Sequence, residues 1–181
     1  MALRYAIIIA LEDKQATGYE ITKWFDNGLG YFWHASHQQI YLELKKMTEE
    51  GLVTFVEIEQ EGKPAKKIYQ TTASGFAALD QWLQLPVKPM PVKDTLLMKI
   101  FAGSRMEPAI LLAEVERHRT QNRQLLAEFH EIERCFQPVA EKPVKYQYAY
   151  LTLRNGITYL EGWLKWSDEV VSFLQLQEQS R

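Results

Sequence analysis

Between residues 36 and 46 the chain carries Ser36, Gln38, Gln39, Tyr41, Lys45 and Lys46, with the aliphatic Leu42 among them, while Ile40, Leu44 and Met47 recur at helical spacing. The chemistry open to these polar side chains is recognition of base edges. Glutamine amides pair at two points with adenine, lysines reach guanine or phosphate, and an aliphatic tip packs on a thymine methyl. Three further lysines, Lys63, Lys66 and Lys67, form a short basic cluster of the kind that neutralises phosphates. A polar outer face is also what any solvated helix presents, so residue types alone leave both readings open.

Other chemistries find less support. His34 and His37 are three residues apart, but no cysteine or further histidine lies near them, whereas structural zinc sites show four ligands in recognisable spacing. His34 is expected to help position a turn. The run "HEIER" at 130–134 lacks the second histidine of a zinc-protease motif and reads as solvated helix surface. Cys135, the one cysteine, is expected to be a small core residue; it excludes an internal disulfide framework and fits a reducing compartment, with cytoplasm as the default. No nucleophile with a base, no paired carboxylates and no phosphate loop stand out, so an enzyme is not expected, and no cofactor or metal.

The elements that must position the polar stretch can be read from local signals. Ala2–Leu11 is an apolar run too short to cross a bilayer and predicts a buried first helix. Thr17 with Glu20, and Ser36 with Gln39, match the capping box, in which hydroxyl and side-chain acceptor satisfy each other's backbone donors. These open a second helix, stopping near Gly28, and a third from about Ser36 to Glu50, stopping at Gly51. The runs "LVTFVEIEQ" and "KKIYQT", joined by "EGKPAK", predict a β-hairpin, and Thr72 opens a fourth helix. Helix, helix, helix, strand, strand, helix is the winged-helix order, in which the third helix enters a major groove and the hairpin lies along the backbone. Ile40, Leu44 and Met47 should face the first two helices; Gln38, Leu42, Lys45 and Glu49 point outward, flanked by Gln39, Tyr41 and Lys46.

Formal net charge is −2, and residues 1–83 hold eight Lys and Arg against eleven Asp and Glu. Five of those eight cations fall in the third helix and the hairpin. This predicts modest, strongly salt-dependent affinity unless two copies act together.

The segments "TGYEITKWF", "FWHASHQQIYLELKKMTEEGLVT" and "EGKPAKKIYQTTASG" resemble the winged-helix segments of the PadR family of bacterial transcriptional regulators, above all its larger members in the phenolic-acid-responsive and virulence-regulating branch. The resemblance covers nearly the whole chain and is most specific from Trp33 to Val53. It implies a homodimer bound to a double-stranded DNA operator, usually as a repressor. Leu42 stands where many relatives have proline, a residue that would fix the backbone locally. The alternative class is a protein-interaction adaptor whose winged helix binds no DNA.

Pro86, Pro89 and Pro91 mark a linker at 85–93 between a winged-helix domain at 1–84 and a helical domain at 94–181. The predicted fold is mainly α with one small β-hairpin. In the second half, residues 107–136 predict a helix of about 45 Å. Leu111, Val115, His118, Asn122, Leu125, Phe129, Ile132 and Phe136 step along it by fours and threes, a heptad seam in which a polar Asn122 can set register. A last helix, about 144–176, carries Tyr150, Leu153, Ile157, Leu160, Leu164, Val171 and Leu174 in one stripe, with Trp163, Trp166, Val170 and Phe173 beside it. Such seams pack either within one chain or between two; the expected dimer contacts are Leu111, Val115, Asn122, Leu125, Phe129, Ile157, Leu160 and Leu164. The resemblance further implies a small phenolic carboxylate as effector, for which Tyr146, Tyr150 and Trp163 are the candidate lining.

Overall fold

The computed structural model describes residues 2–27, 33–60, 63–89 and 93–179, and the expected stop at Gly28 lies outside them. The chain divides into two compact units, Met1–Pro89 and Met90–Arg181.

The first unit holds α1 (Leu3–Ala10), β1 (Ala16–Thr17), α2 (Gly18–Asn27), α3 (His37–Glu49), β2 (Val53–Gln60), β3 (Lys63–Thr71) and α4 (Ala73–Leu83). Ile7 and Ile8 of α1, Ile21 and Phe25 of α2, and Ile40, Leu44 and Met47 of α3 are all but completely buried in one core, closed by Val53, Tyr69 and Leu79. Tyr5 stacks on Trp82 at a ring separation of 4.6 Å, tying α1 to α4. Both capping boxes form: the Thr17 backbone N–H donates to Glu20 at 2.8 Å and the Glu20 N–H to the Thr17 hydroxyl at 3.2 Å, while Ser36 and Gln39 exchange bonds of 2.8 and 3.2 Å. Gly51 ends α3 with φ 72°, and the Leu52 N–H closes on the Met47 carbonyl at 2.8 Å. That left-handed cap is why a glycine stands there.

The sheet is three-stranded and antiparallel, in the order β1-β3-β2. Sequence reading missed β1, because two residues carry no periodicity and form a strand only by pairing Ala16 with Tyr69 and Thr17 with Ile68. β3 also starts earlier than expected, so Lys63 to Lys66 lie on the strand and not in a turn. The architecture is a winged helix followed by a helical unit.

The second unit consists of α5 (Thr95–Phe101), α6 (Pro108–Phe136) and α7 (Val144–Gln179), with short 3-10 turns at Gly103–Arg105 and Val139–Glu141. Asp94 caps α5 by accepting from the Leu96 N–H at 2.7 Å. α6 and α7 form an antiparallel hairpin. Leu111 and Val115 pack with Leu96, Val171 and Leu174 at one end, and Phe129 with Ile157 and Leu160 at the other. Between them Arg119, buried, donates to Glu116 at 2.7 Å and to Asp168 across the hairpin. Cys135 is exposed, which corrects its expected place in the core: Phe129, Ile132 and Phe136 turn toward α7, and Cys135 sits off that face. Among the described residues no helix is long and apolar enough to cross a membrane, and no group of three or more His, Cys, Asp or Glu is placed to hold a metal ion.

Candidate nucleic-acid interface

The periodicity of α3 decides which of its side chains can meet a ligand. Ile40, Leu44 and Met47 seal one face, and Gln38, Gln39, Tyr41, Leu42, Lys45, Lys46 and Glu49 are exposed on the remainder. Gln38, Tyr41 and Lys45 are spaced by three and four residues and form one outward stripe. The two candidate glutamines differ. Gln39 spends its Oε1 on the Ser36 N–H, and Ser36 spends its hydroxyl on Gln39, so both hold the start of the helix. Two-point pairing with adenine needs the amide oxygen and nitrogen together, and Gln38 has no such local duty in the capping box.

Arg4 reaches from α1 to the side of α3, donating to Glu43 at 2.9 Å and to both oxygens of Glu50 at 2.7 and 3.1 Å. The Glu50 carboxyl is held below its ordinary range, chiefly by that hydrogen bond. Two of the acidic groups that burden this half are thus neutralised on the α1 side, away from the outward stripe. His37 faces Asp26 at 3.8 Å, and both are well exposed.

In the wing, Glu57 pairs with Lys67 and Ile58 with Lys66. Neighbouring strand residues point to opposite faces, so the two lysines do not act from one side. Lys67 lies 4.4 Å over the Phe55 ring, on the face that leads into the core through Tyr69. Lys66 shares the other face with the exposed Val56 and Ile58. It also draws on Glu20, whose carboxyl is lowered first by hydrogen bonds from Thr17, with Lys66 and Lys14 adding charge attraction. Lys63 begins β3, but its side chain lies outside the described residues.

The start of α2 supplies groups that sequence reading passed over. Tyr19 is more than half exposed with Lys23 lying 5.1 Å over its ring. The signal was the spacing of four between an aromatic and a lysine on one helix face.

In the second unit the structure turns the expected dimer seam inward. Leu111, Val115, Phe129, Ile157 and Leu160 are buried within one chain, with Asn122, Leu125 and Leu164 half-buried beside them. A heptad period cannot distinguish a partner helix in the same chain from one in another. Outside that seam, Tyr148, Tyr159 and Phe173 of α7 are exposed, Trp166 is half-buried, and the space beside Gly162 is open.

The three aromatic effector candidates are not gathered. Tyr150 donates to Glu133 at 3.0 Å and lies against Phe136, with Tyr146 exposed one turn before it. Trp163 is thirteen residues further on, about 20 Å along the helix, packed on Trp166 and near His118. Glu133, expected on a solvated surface, accepts from Tyr150 and Arg154 and joins α6 to α7. Glu114 collects Arg117 at 3.0 Å and Lys99 at 3.3 Å, which bring its carboxyl down to about 2. It edges an open cleft of about 510 Å³ together with Lys93, His118 and Tyr159.

Comparison with known proteins places these elements. Residues 7–81 match the transcriptional regulator PadR-like family and residues 92–175 match the virulence activator alpha C-terminal family. Over 97% of this chain and 98% of the relative, 33% of residues are identical to a protein of Mycobacterium tuberculosis described as a probable transcriptional regulator. The chain belongs to the PadR family of transcriptional regulators. PadR of Bacillus subtilis, a negative transcriptional regulator, is 31% identical over 95% of this chain and 97% of its own length. Its structure with operator DNA matches at TM-score 0.82 and 30% identity, covering 96% of this chain and 99% of that one, and it has also been solved with p-coumaric acid. The Vibrio cholerae virulence activator AphA matches at TM-score 0.80 and 35% identity, covering 97% of this chain and 99% of that one. The family accounts for both units: PadR-like winged helix and virulence-activator helices each fall on one of them.

Proposed function

We propose that this PadR-family regulator binds a specific operator as a homodimer and acts as a repressor, with α3 in the major groove and the wing along the backbone. The observation that carries this reading is the division of α3: an inner face sealed by Ile40, Leu44 and Met47, and an outward stripe of Gln38, Tyr41 and Lys45 beside a lysine-bearing wing. That the Bacillus subtilis relative was solved on operator DNA, and is named a negative regulator, supports operator binding and its sign. Gln38 and Lys45 read base edges. Ser36 and Gln39 set the start of the helix, and Tyr41 and Leu42 complete its outer surface. Lys46, Lys63, Lys66 and Lys67 neutralise phosphates, joined by Lys23.

The dimer forms through the exposed aromatic row of α7, Tyr148, Tyr159 and Phe173, because the inner seam is already covered by α6. Two recognition helices then read half-sites about 34 Å apart, one turn of DNA. Carrying two weak modules on one particle raises their combined affinity by about 100-fold or more, which answers the net acidity of the winged helix. A small aromatic acid is the effector class that the p-coumaric acid complex of the relative supports. Tyr146 and Tyr150 are close enough to act on one such molecule; Trp163 lies too far along the same helix.

The test is a gel shift of the full chain on its own upstream region, at low and at moderate salt, with and without p-coumarate. Sequence-dependent retardation that weakens steeply with salt is expected. Retardation of no duplex would turn the reading toward a protein-binding winged helix.

A further inference from the structure

Gly18 opens α2, a position where alanine is the better helix former. Its backbone does not lie in the left-handed region, so conformation does not call for glycine. A neighbouring side chain does. A Cβ on Gly18 would come within 2.6 Å of Tyr41 Cε1, 2.9 Å of Cζ and 3.1 Å of the hydroxyl oxygen, and real Cβ atoms essentially never approach closer than 3.0 Å. The phenol end of Tyr41 thus rests on the backbone of α2 inside the Thr17–Glu20 capping box. Tyr41 nevertheless stays 48% exposed, on the outward stripe between Gln38 and Lys45.

We propose that Gly18 is a positioning residue for operator recognition and that Tyr41 is the specificity-determining side chain it seats. The proposal rests on the DNA-binding reading given above. An exposed tyrosine on a lone helix is free to sample rotamers, and each must be given up on binding. Resting on Gly18, Tyr41 holds its orientation beforehand, so that its free edge meets the bases in register with Gln38. The seat belongs to α2 and the reader to α3, so the contact joins the two helices at the point where sequence would be read. Because the ring is half exposed, a methyl group at position 18 can push it into solvent while the core beneath α3 stays closed.

The experiment begins with the full-length chain selecting duplexes from a random pool. Affinities for the selected duplex, and for a scrambled duplex of equal length, are then measured for the unaltered chain, Gly18→Ala, Tyr41→Ala and the double variant. Gly18→Ala should weaken the selected duplex about tenfold, leave the scrambled duplex unchanged, and keep cooperative thermal unfolding. Tyr41→Ala should lose as much, and adding Gly18→Ala to it should cost nothing more. Additive losses, equal losses on both duplexes, or no loss from either single variant would overturn the proposal. Tyr41→Phe asks the same question without altering α2: it keeps the ring on Gly18 and should retain more preference than Tyr41→Ala, and equal loss from the two would also overturn it. If the unaltered chain selects no duplex, the DNA-binding reading itself fails, which these arms distinguish from failure of the seat alone.

Discussion

The outer faces of α3 and α7 differ in what they leave in water. Both helices bury an apolar stripe against their own unit, through Ile40, Leu44 and Met47 in the one and Ile157, Leu160, Val171 and Leu174 in the other. Away from that stripe, α3 shows amides, lysines, Glu49, the half-exposed Tyr41 and a single aliphatic tip. α7 shows Tyr148, Tyr159, Phe173 and Leu176, with Trp166 between them. A polar surface is at home against solvent or a hydrated, charged ligand, whereas a row of large apolar groups is a surface that a protein partner covers. On the function proposed above, the two units divide the work: one would present groups that read, and the other groups that associate.

The largest effect should come from breaking the apolar row. Tyr159→Asp with Phe173→Asp is expected to halve the particle mass in sedimentation and to cut operator affinity by about 100-fold or more, as the second recognition helix is lost. An unchanged mass would return the dimer contact to another surface. Next is the contrast across α3 itself. Leu44→Ala, on the buried side, should cost about 2–5 kcal/mol in denaturant unfolding, while Leu42→Ala, on the exposed side, should stay within about 0.5 kcal/mol. Comparable costs would mean that Leu42 is packed and not presented.

The wing gives a smaller, differently shaped effect. Lys66→Ala with Lys67→Ala should weaken binding to all duplexes alike and flatten the dependence of log affinity on log salt by about two. A loss confined to one sequence would make these lysines base readers. The smallest expected effect is electrostatic and lies in the second unit. Glu114 has its folded-state carboxyl lowered to about 2 from an ordinary 4.5 by Arg117 and Lys99. A lowered pKa contributes stability above the unfolded value that disappears as pH falls through the folded one. Glu114→Gln should therefore narrow the stability difference between pH 5 and pH 2 seen in thermal unfolding, and an identical acid profile would show that the ion cluster adds nothing.

How much of this was legible beforehand depends on how local its cause is. The capping boxes at Thr17–Glu20 and Ser36–Gln39 were readable because every partner lies within three residues. The buried triad of α3 was readable because helix periodicity alone sorts inside from outside. β1 was not, since Ala16 and Thr17 become a strand only when β3 arrives alongside. The seam of α6 was visible, but its partner was not: heptad spacing says that a helix packs and is silent on whose chain packs on it. Cys135 and Glu133 were misplaced for a related reason, as their surroundings are decided by residues of the facing helix. Gly18 gave no local signal either, because the side chain that forbids a Cβ there stands on the following helix.

The alternation of Lys66 and Lys67 has a mechanical meaning. A ribbon with both cations on one side would hold a phosphate at one roll angle and release it at another. If the wing lies along the backbone as proposed, one lysine on each side means that rolling the wing about its long axis would carry one charge away from the DNA as it brings the other toward it. Such a wing would keep a cation near the phosphates of operators whose grooves widen or narrow along their length, and would leave the choice among sequences to the helix beside it.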